Sequence, residues 1–324
     1  MRATSFVILA SCVSRALAAT YTLSDSYVGA AFLTAWRHQV ISDPTHGRVN
    51  YVDEATALAK NLTFASDDTL ILRADDTTVL DPNGLGRDSV RIQSVKNYTT
   101  HVAILDVRHM PQGCSTWPAF RETDASSWPN GGKIDIVSFL IEGVNDVTPN
   151  TMTLHTDMNC SMPASRAETG KATGLNCDDK TDGSSGCGVQ SPTTTSYGPP
   201  LNAIGGGRYA MERTNDFVKV WFFPRNEVTP SDVSSGAILI DTDNWGTPTA
   251  FFPNTECDIG SQFDANNIVI GLTFCGDWAG SPSVYSNAGC PGDCVDLVNN
   301  NPAAFVDAYW EIAAVRVYEN GDSC

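Results

Sequence analysis

Apolar and polar residues alternate in short runs along this chain, and Gly, Pro, Asn and Asp close the runs before any helical stripe develops. His101–Val107, Ile134–Ile141, Phe217–Phe223, Ala237–Ile240, Asn267–Phe274 and Tyr309–Tyr318 each predict a β-strand. Helical periodicity is scarce: Asp53–Lys60 and Pro302–Ala308 each predict one short turn of helix. Many short strands with turn signals between them predict an all-β sandwich or barrel. The stretch from Gly170 to Gly207, rich in Gly, Ser, Thr and Asn, reads as long loops held by Cys177 and Cys187. Composition does not change across it, and no repeat, heptad or low-complexity linker occurs, so residues 20–324 are expected to form one domain.

The chain has 324 residues, 42% of them hydrophobic, enough for one large core or two small ones. Residues 1–19 read as a secretory signal peptide: Arg2, an apolar run from Ser5 to Val13, and the small-residue cleavage pattern Ala16-Leu17-Ala18. The run is far too short for a bilayer span, and the C-terminal Glu319–Cys324 lacks a lipid-anchor tail. The expected product is secreted and extracellular, with no membrane partner. Loss of Arg2 and Arg15 with the leader takes the formal charge from −17 to −19. Such an acidic surface repels nucleic acid and suits a neutral polysaccharide.

Of ten cysteines, Cys12 lies in the leader. The other nine point to disulfides in an oxidising compartment, with one left over. Short loops suggest Cys177–Cys187 and Cys290–Cys294, although spacing alone fixes no connectivity. The Cys290-x-x-x-Cys294 pair has no second pair at ligand spacing, which argues against zinc. Asn61-Leu-Thr, Asn97-Tyr-Thr and Asn159-Cys-Ser are N-glycosylation sequons that agree with secretion.

The candidate chemistry lies in Trp128-Pro-Asn-Gly-Gly-Lys-Ile-Asp-Ile-Val-Ser-Phe-Leu-Ile-Glu142-Gly-Val-Asn-Asp146, which sets Asp135 and Glu142 on one predicted strand. This segment resembles the catalytic strand of the laminarinase-type endo-β-1,3(4)-glucanases of glycoside hydrolase family 16, whose pattern reads Gly-Glu-Ile-Asp-Ile-x-Glu-Gly-Val-Asn. Asp43-Pro-Thr-His-Gly-Arg-Val-Asn-Tyr51, His109-Met-Pro111, Thr116-Trp-Pro-Ala-Phe120, Thr153-Leu-His-Thr156, Tyr209-Ala-Met-Glu-Arg213 and Val220-Trp-Phe-Phe-Pro-Arg225 resemble the fungal branch of the same family, in the same order. The resemblance covers nearly the whole mature chain. It implies a β-jelly-roll of two antiparallel sheets, a β-glucan partner in a concave cleft, a monomer, and chemistry that uses neither metal nor cofactor.

The resemblance assigns the nucleophile to position 133, the assisting carboxylate to Asp135 and the acid/base to Glu142. A retaining glycosidase needs two carboxyl groups about 5–5.5 Å apart, one to attack the anomeric carbon and one to protonate the leaving oxygen. Lys133 breaks this plan, because an ammonium cannot attack a carbon that is gaining positive charge. It also favours the ionised form of a neighbouring carboxyl group, and an ion pair with Asp135 is the expected outcome. The family spacing from aspartate to acid/base is three residues; here it is seven. Four additional extended residues move Glu142 by roughly 13 Å, at about 3.3 Å per residue, whereas looping out Ser138–Ile141 returns it to register. Both carboxylates could also be plain solvated or ion-paired strand residues.

Trp117, Trp128 and Trp278 fall where the family's sugar-stacking aromatics stand, although core filling is the ordinary use of Trp. Arg121 and Arg208 occupy places where relatives carry Trp, and each change exchanges a stacking face for a guanidinium. His155 matches a position beside the catalytic strand, with a hydrogen-bonding role as plausible as a catalytic one. His46 and His109 read as structural. The alternatives to an impaired hydrolase are a non-hydrolytic β-glucan-binding protein on the same sandwich, and a residual activity with Asp135 or Glu122 as base.

Overall fold

The computed structural model describes residues 19–137, 143–181, 183 and 185–320. Among them, nine strands form one sheet and eight another, and every pairing within these two sheets is antiparallel. The fold is an all-β jelly-roll sandwich. In the eight-stranded sheet the order runs Lys171–Ala172, Cys187–Gln190, Thr151–His155, Lys133–Val137, Thr116–Thr123, Asn266–Phe274, Arg91–Tyr98, Trp36–His38. The nine-stranded sheet is centred on Tyr309–Glu319, His101–His109 and Gly207–Arg213, with Phe217–Pro224 and then Ala250–Pro253 at one side.

Period-two alternation explains the layering. Phe120, Ile134, Leu154, Ile268 and Ile270 from one sheet meet Leu105, Tyr209, Met211, Val220 and Trp310 from the other in a single buried cluster. Each large side chain removed fully from water there contributes about 2–3 kcal/mol before the entropy of ordering it is counted. The Trp310 indole also donates to the Gly271 carbonyl at 3.1 Å, a polar tie across the two layers. The intervening residues of the eight-stranded sheet, among them Arg121, Thr123, Lys133, Asp135, Thr153 and His155, face the other way.

The strands expected at His101–Val107, Phe217–Phe223, Asn267–Phe274 and Tyr309–Tyr318 are all present. The run expected at Ile134–Ile141 is a strand over Lys133–Val137, and Ser138–Glu142 lie outside the described residues. Asp53 caps the helix Glu54–Ala59 by accepting from the Thr56 N–H at 2.7 Å. Pro302–Phe305 forms a 3-10 turn.

Two expectations need correction. Gly170–Gly207 is not loop throughout: Cys187–Gln190 is a strand of the eight-stranded sheet, hydrogen-bonded to Thr151–Leu154, and Gly198–Ala203 is a short helix. The polar composition that suggested loops is tolerated because this is the outer part of the sheet.

The second concerns disulfides. Cys177–Cys187 forms, but Cys290 pairs with Cys114 and Cys294 with Cys275, while Cys160 pairs with Cys257. Asp293 caps the helix Cys294–Asn300 through the Val295 and Asp296 N–H groups. That helix start turns Cys294 into the cluster around Phe274 and Cys275 and leaves Cys290 to face Cys114. Cys324 lies outside the described residues.

Candidate active site

The outer face of the eight-stranded sheet carries a groove of about 410 Å³ lined by Trp117, Arg121, Trp128, Lys133, Asp179 and Trp278, among others. Register builds its floor. Lys133 lies opposite His155 on one neighbouring strand and Thr123 on the other, and Asp135 lies opposite Thr153 and Arg121. A register shift follows between Asp135 and Val137. Such a bulge re-aims the side chains beyond it.

Lys133 and Asp135, two apart on one face, form the expected ion pair, with Nζ 3.1 Å from Oδ2. Asp135 is fully buried and Lys133 is 13% exposed. Asp135 Oδ2 also stands 3.4 Å from His155 Nε2, and the same imidazole places Nδ1 3.4 Å from Asp179 Oδ1. The floor is therefore a charged chain, Lys133–Asp135–His155–Asp179. Burial alone would raise the Asp135 carboxyl; Lys133, His155 and Arg121 outweigh it and hold the group down at about 2. Burial pushes the Lys133 ammonium down, opposed by Asp135. Asp135 is thus ionised at any ordinary pH, and its charge is directed at the lysine.

Trp117, Trp128 and Trp278 line the groove around this floor. Trp128, 39% exposed, holds its ring 5.1 Å from Lys133 Nζ and edge-on to His155 at 6.3 Å. Trp117 lines the groove and is also buried against Val144, Ala279 and Trp278. Trp278 rides on the four-residue helix Gly276–Ala279, which begins where Cys275 and Gly276 take left-handed backbone. A side chain at position 276 would meet the Thr45 carbonyl at 2.5 Å, which is why glycine stands there.

Arg121 enters the groove, where its Nε is buried with no hydrogen-bond partner among the described residues. Arg208 does not. It sits on the outer face of the nine-stranded sheet, beside Ala210 of the cluster around Trp221, and its Nε donates to Asp106 at 2.9 Å. Sequence likeness to a Trp position cannot tell which of two sheets a residue occupies. Glu122 is also excluded from the groove: it is fully buried between the sheets and accepts from His101 Nε2 at 2.8 Å. Glu142 lies outside the described residues. His109 stacks on Tyr309 at 3.8 Å, and His46 pairs with Asp277 at 2.9 Å on the exposed rim.

Sequence reasoning missed Asp179, Asp277 and Arg91. Asp179 follows Cys177 by two residues, and the Cys177–Cys187 bridge is the one signal that could have placed it beside the sheet. Arg91 opens its strand, is 4% exposed and donates from Nε to Gln39 at 2.6 Å. Nothing in its local pattern separates it from a surface cation.

The XgeA-like catalytic domain of glycoside hydrolase family 16 matches residues 36–318, and the chain belongs to that family. It is 44% identical over 305 residues to a probable glycosidase of Schizosaccharomyces pombe, covering 93% of this chain and 70% of that protein. A probable endo-1,3(4)-β-glucanase of Aspergillus fumigatus is 39% identical, with 99% of this chain covered. The chain spans only 49% of that relative, about half its length. Among solved structures, GH16 laminarinase 16A of Phanerochaete chrysosporium, with 6-O-glucosyl-laminaritriose in donor and acceptor sites, is 70% identical, with a TM-score of 0.91 over 93% of this chain and 100% of that one. An elongating GH16 β-1,3-glucosyltransferase is 39% identical, with a TM-score of 0.84 over 92% of this chain and 99% of that one.

Proposed function

We propose that this chain is a secreted β-glucan-binding member of family 16 whose groove still holds β-1,3- or mixed β-1,3/1,4-glucan while hydrolysis is reduced by several orders of magnitude. The observation that carries it is the 3.1 Å ion pair between Lys133 and Asp135 on the groove floor. On the inherited plan an oxygen at position 133 attacks the anomeric carbon, Asp135 assists, and Glu142 protonates the leaving oxygen and later activates water. A cationic nitrogen there offers no lone pair to an oxocarbenium-like centre. Loss of one member of a concerted unit removes nearly the whole chemical step. Binding rests on other atoms, the faces of Trp117, Trp128 and Trp278, which stack on the apolar C–H faces of sugar rings. The protein acts as a monomer, and Asn61, Asn97 and Asn159, all exposed, are its glycan acceptors.

Laminarin affinity and reducing-end release, measured side by side, test this reading. Binding with turnover far below that of an ordinary laminarinase is expected. Turnover comparable with one overturns it. Lys133→Glu, deletion of Ser138–Ile141, and the two together form a repair series. If the doubly repaired protein folds and stays inert, the roles given to these positions are wrong.

A further inference from the structure

The groove is uncommonly rich in charge for a neutral-sugar site, and its charges are unequally satisfied. Each carboxylate has partners. Asp135 is held by Lys133 and His155, and Asp179 faces His155. Asp277 pairs with His46. Asp43 accepts from Thr45, Gly47, Tyr51 and Thr273 at 2.6, 2.9, 3.2 and 2.8 Å. The cations are different. Arg91, 4% exposed, donates from Nε to the neutral Gln39, has Tyr51 and Asp43 near enough to favour its charge, and lines the groove beside Arg121. Arg121 makes no hydrogen bond or close ion pair among the described residues, and its Nε is buried without an acceptor. Asp135, opposite it on the neighbouring strand, feels its charge but is engaged directly by Lys133.

A buried donor left unsatisfied costs about as much as the bond it lacks. The two adjacent guanidinium groups also repel one another. Both costs fall when an anion enters the groove. The flanking Trp117 and Trp278 specify what carries that anion. A β-glucosyl ring stacks by its C–H faces, and its exocyclic C6 then projects from the ring edge. Oxidised to a carboxylate, C6 presents the planar oxygen pair that a guanidinium fork receives with two parallel bonds.

We infer that Arg121, supported by Arg91, makes the groove selective for β-glucan chains bearing carboxylated, glucuronyl-type units over wholly neutral ones. The inference rests on the groove-binding reading above and narrows it to a substrate class. The formal charge of −17 opposes any anionic chain, but remote charges are screened beyond about 10 Å at 0.1 M salt, whereas a contact in the groove is not.

The test uses the whole secreted protein, with laminarin and the same laminarin lightly oxidised at C6. At low salt the oxidised chain is expected to bind about tenfold more tightly, and the advantage should shrink as salt rises. Arg121→Trp should abolish the preference, and Arg121→Lys should keep part of it. Thermal melts of both variants establish that they fold. Equal affinity of the native protein for the two polymers overturns the inference and leaves the groove reading standing. Persistence of the preference in Arg121→Trp overturns it too. Absence of binding to either polymer overturns both.

Discussion

At position 133 the groove floor carries a lysine where the family pattern has a glutamate. Asp135 is fully buried and is held ionised against that burial by Lys133 first, then His155 and Arg121. Removal of its charge by Asp135→Asn leaves an ammonium 13% exposed with its closest counter-ion gone, and is expected to cost about 3 kcal/mol, within the range for a broken buried pair. Urea unfolding at pH 7 reads that loss. The pH dependence has a definite sign. Asp135 is lowered from its ordinary 3.8 to about 2 on folding. Its contribution is therefore present above pH 3.8 and lost as pH falls through about 2. The native protein should lose roughly 2 kcal/mol more than Asp135→Asn across that window, at 1.36 kcal/mol per pKa unit. An identical acid profile for the two proteins would sink the assignment. The pairing itself was legible in the sequence, since residues two apart on a strand share a face. The capture of the same carboxylate by His155, and of His155 by Asp179, was not, because those contacts join segments with no local relation.

Strand alternation decides which residues reach the groove. Arg121 and Thr123 face the groove, whereas Glu122 between them faces the interior and pairs with His101 at 2.8 Å. Both His101 and Glu122 are fully buried. Arg213 lies nearby and is anchored by the Phe263 and Asp264 carbonyls. Glu122→Gln is accordingly expected to destabilise the fold by about 3 kcal/mol and to leave the laminarin affinity of the folded protein unchanged. A drop in affinity without a drop in stability would contradict this orientation. The neighbouring strands were well marked in the sequence by their Val, Ile and Phe runs. The short helices between residues 276 and 300 were not, since pieces of four to seven residues show less than two turns of periodicity.

Across the molecule, the four disulfides among the described residues close loops of very different size. Cys114–Cys290 spans 176 residues and Cys177–Cys187 spans 10. By loop entropy alone, removing the first as a Ser pair should cost about 5 kcal/mol and removing the second about 3 kcal/mol. Non-reducing urea denaturation of the two double variants gives the comparison, and a larger loss for the short loop would show that native contacts, and not chain entropy, set the order. Cys114–Cys290 and Cys275–Cys294 together fasten the residues around Trp278 to the sheet carrying Trp117. Their loss should therefore weaken glucan binding as well as stability.

The sequence by itself determined the strand-rich class, the family, the Lys133–Asp135 pair and the aromatic character of the cleft, because each follows from local alternation or from motifs in a fixed order. Tertiary structure alone decided that Arg208 belongs to the far sheet, that Glu122 points inward, that Cys290 and Cys294 bond elsewhere, and that Arg121 enters the groove with its Nε lacking an acceptor. Those outcomes depend on which distant strands become neighbours. That choice is made by burial of the shared core between the sheets, and no single segment of the chain records it.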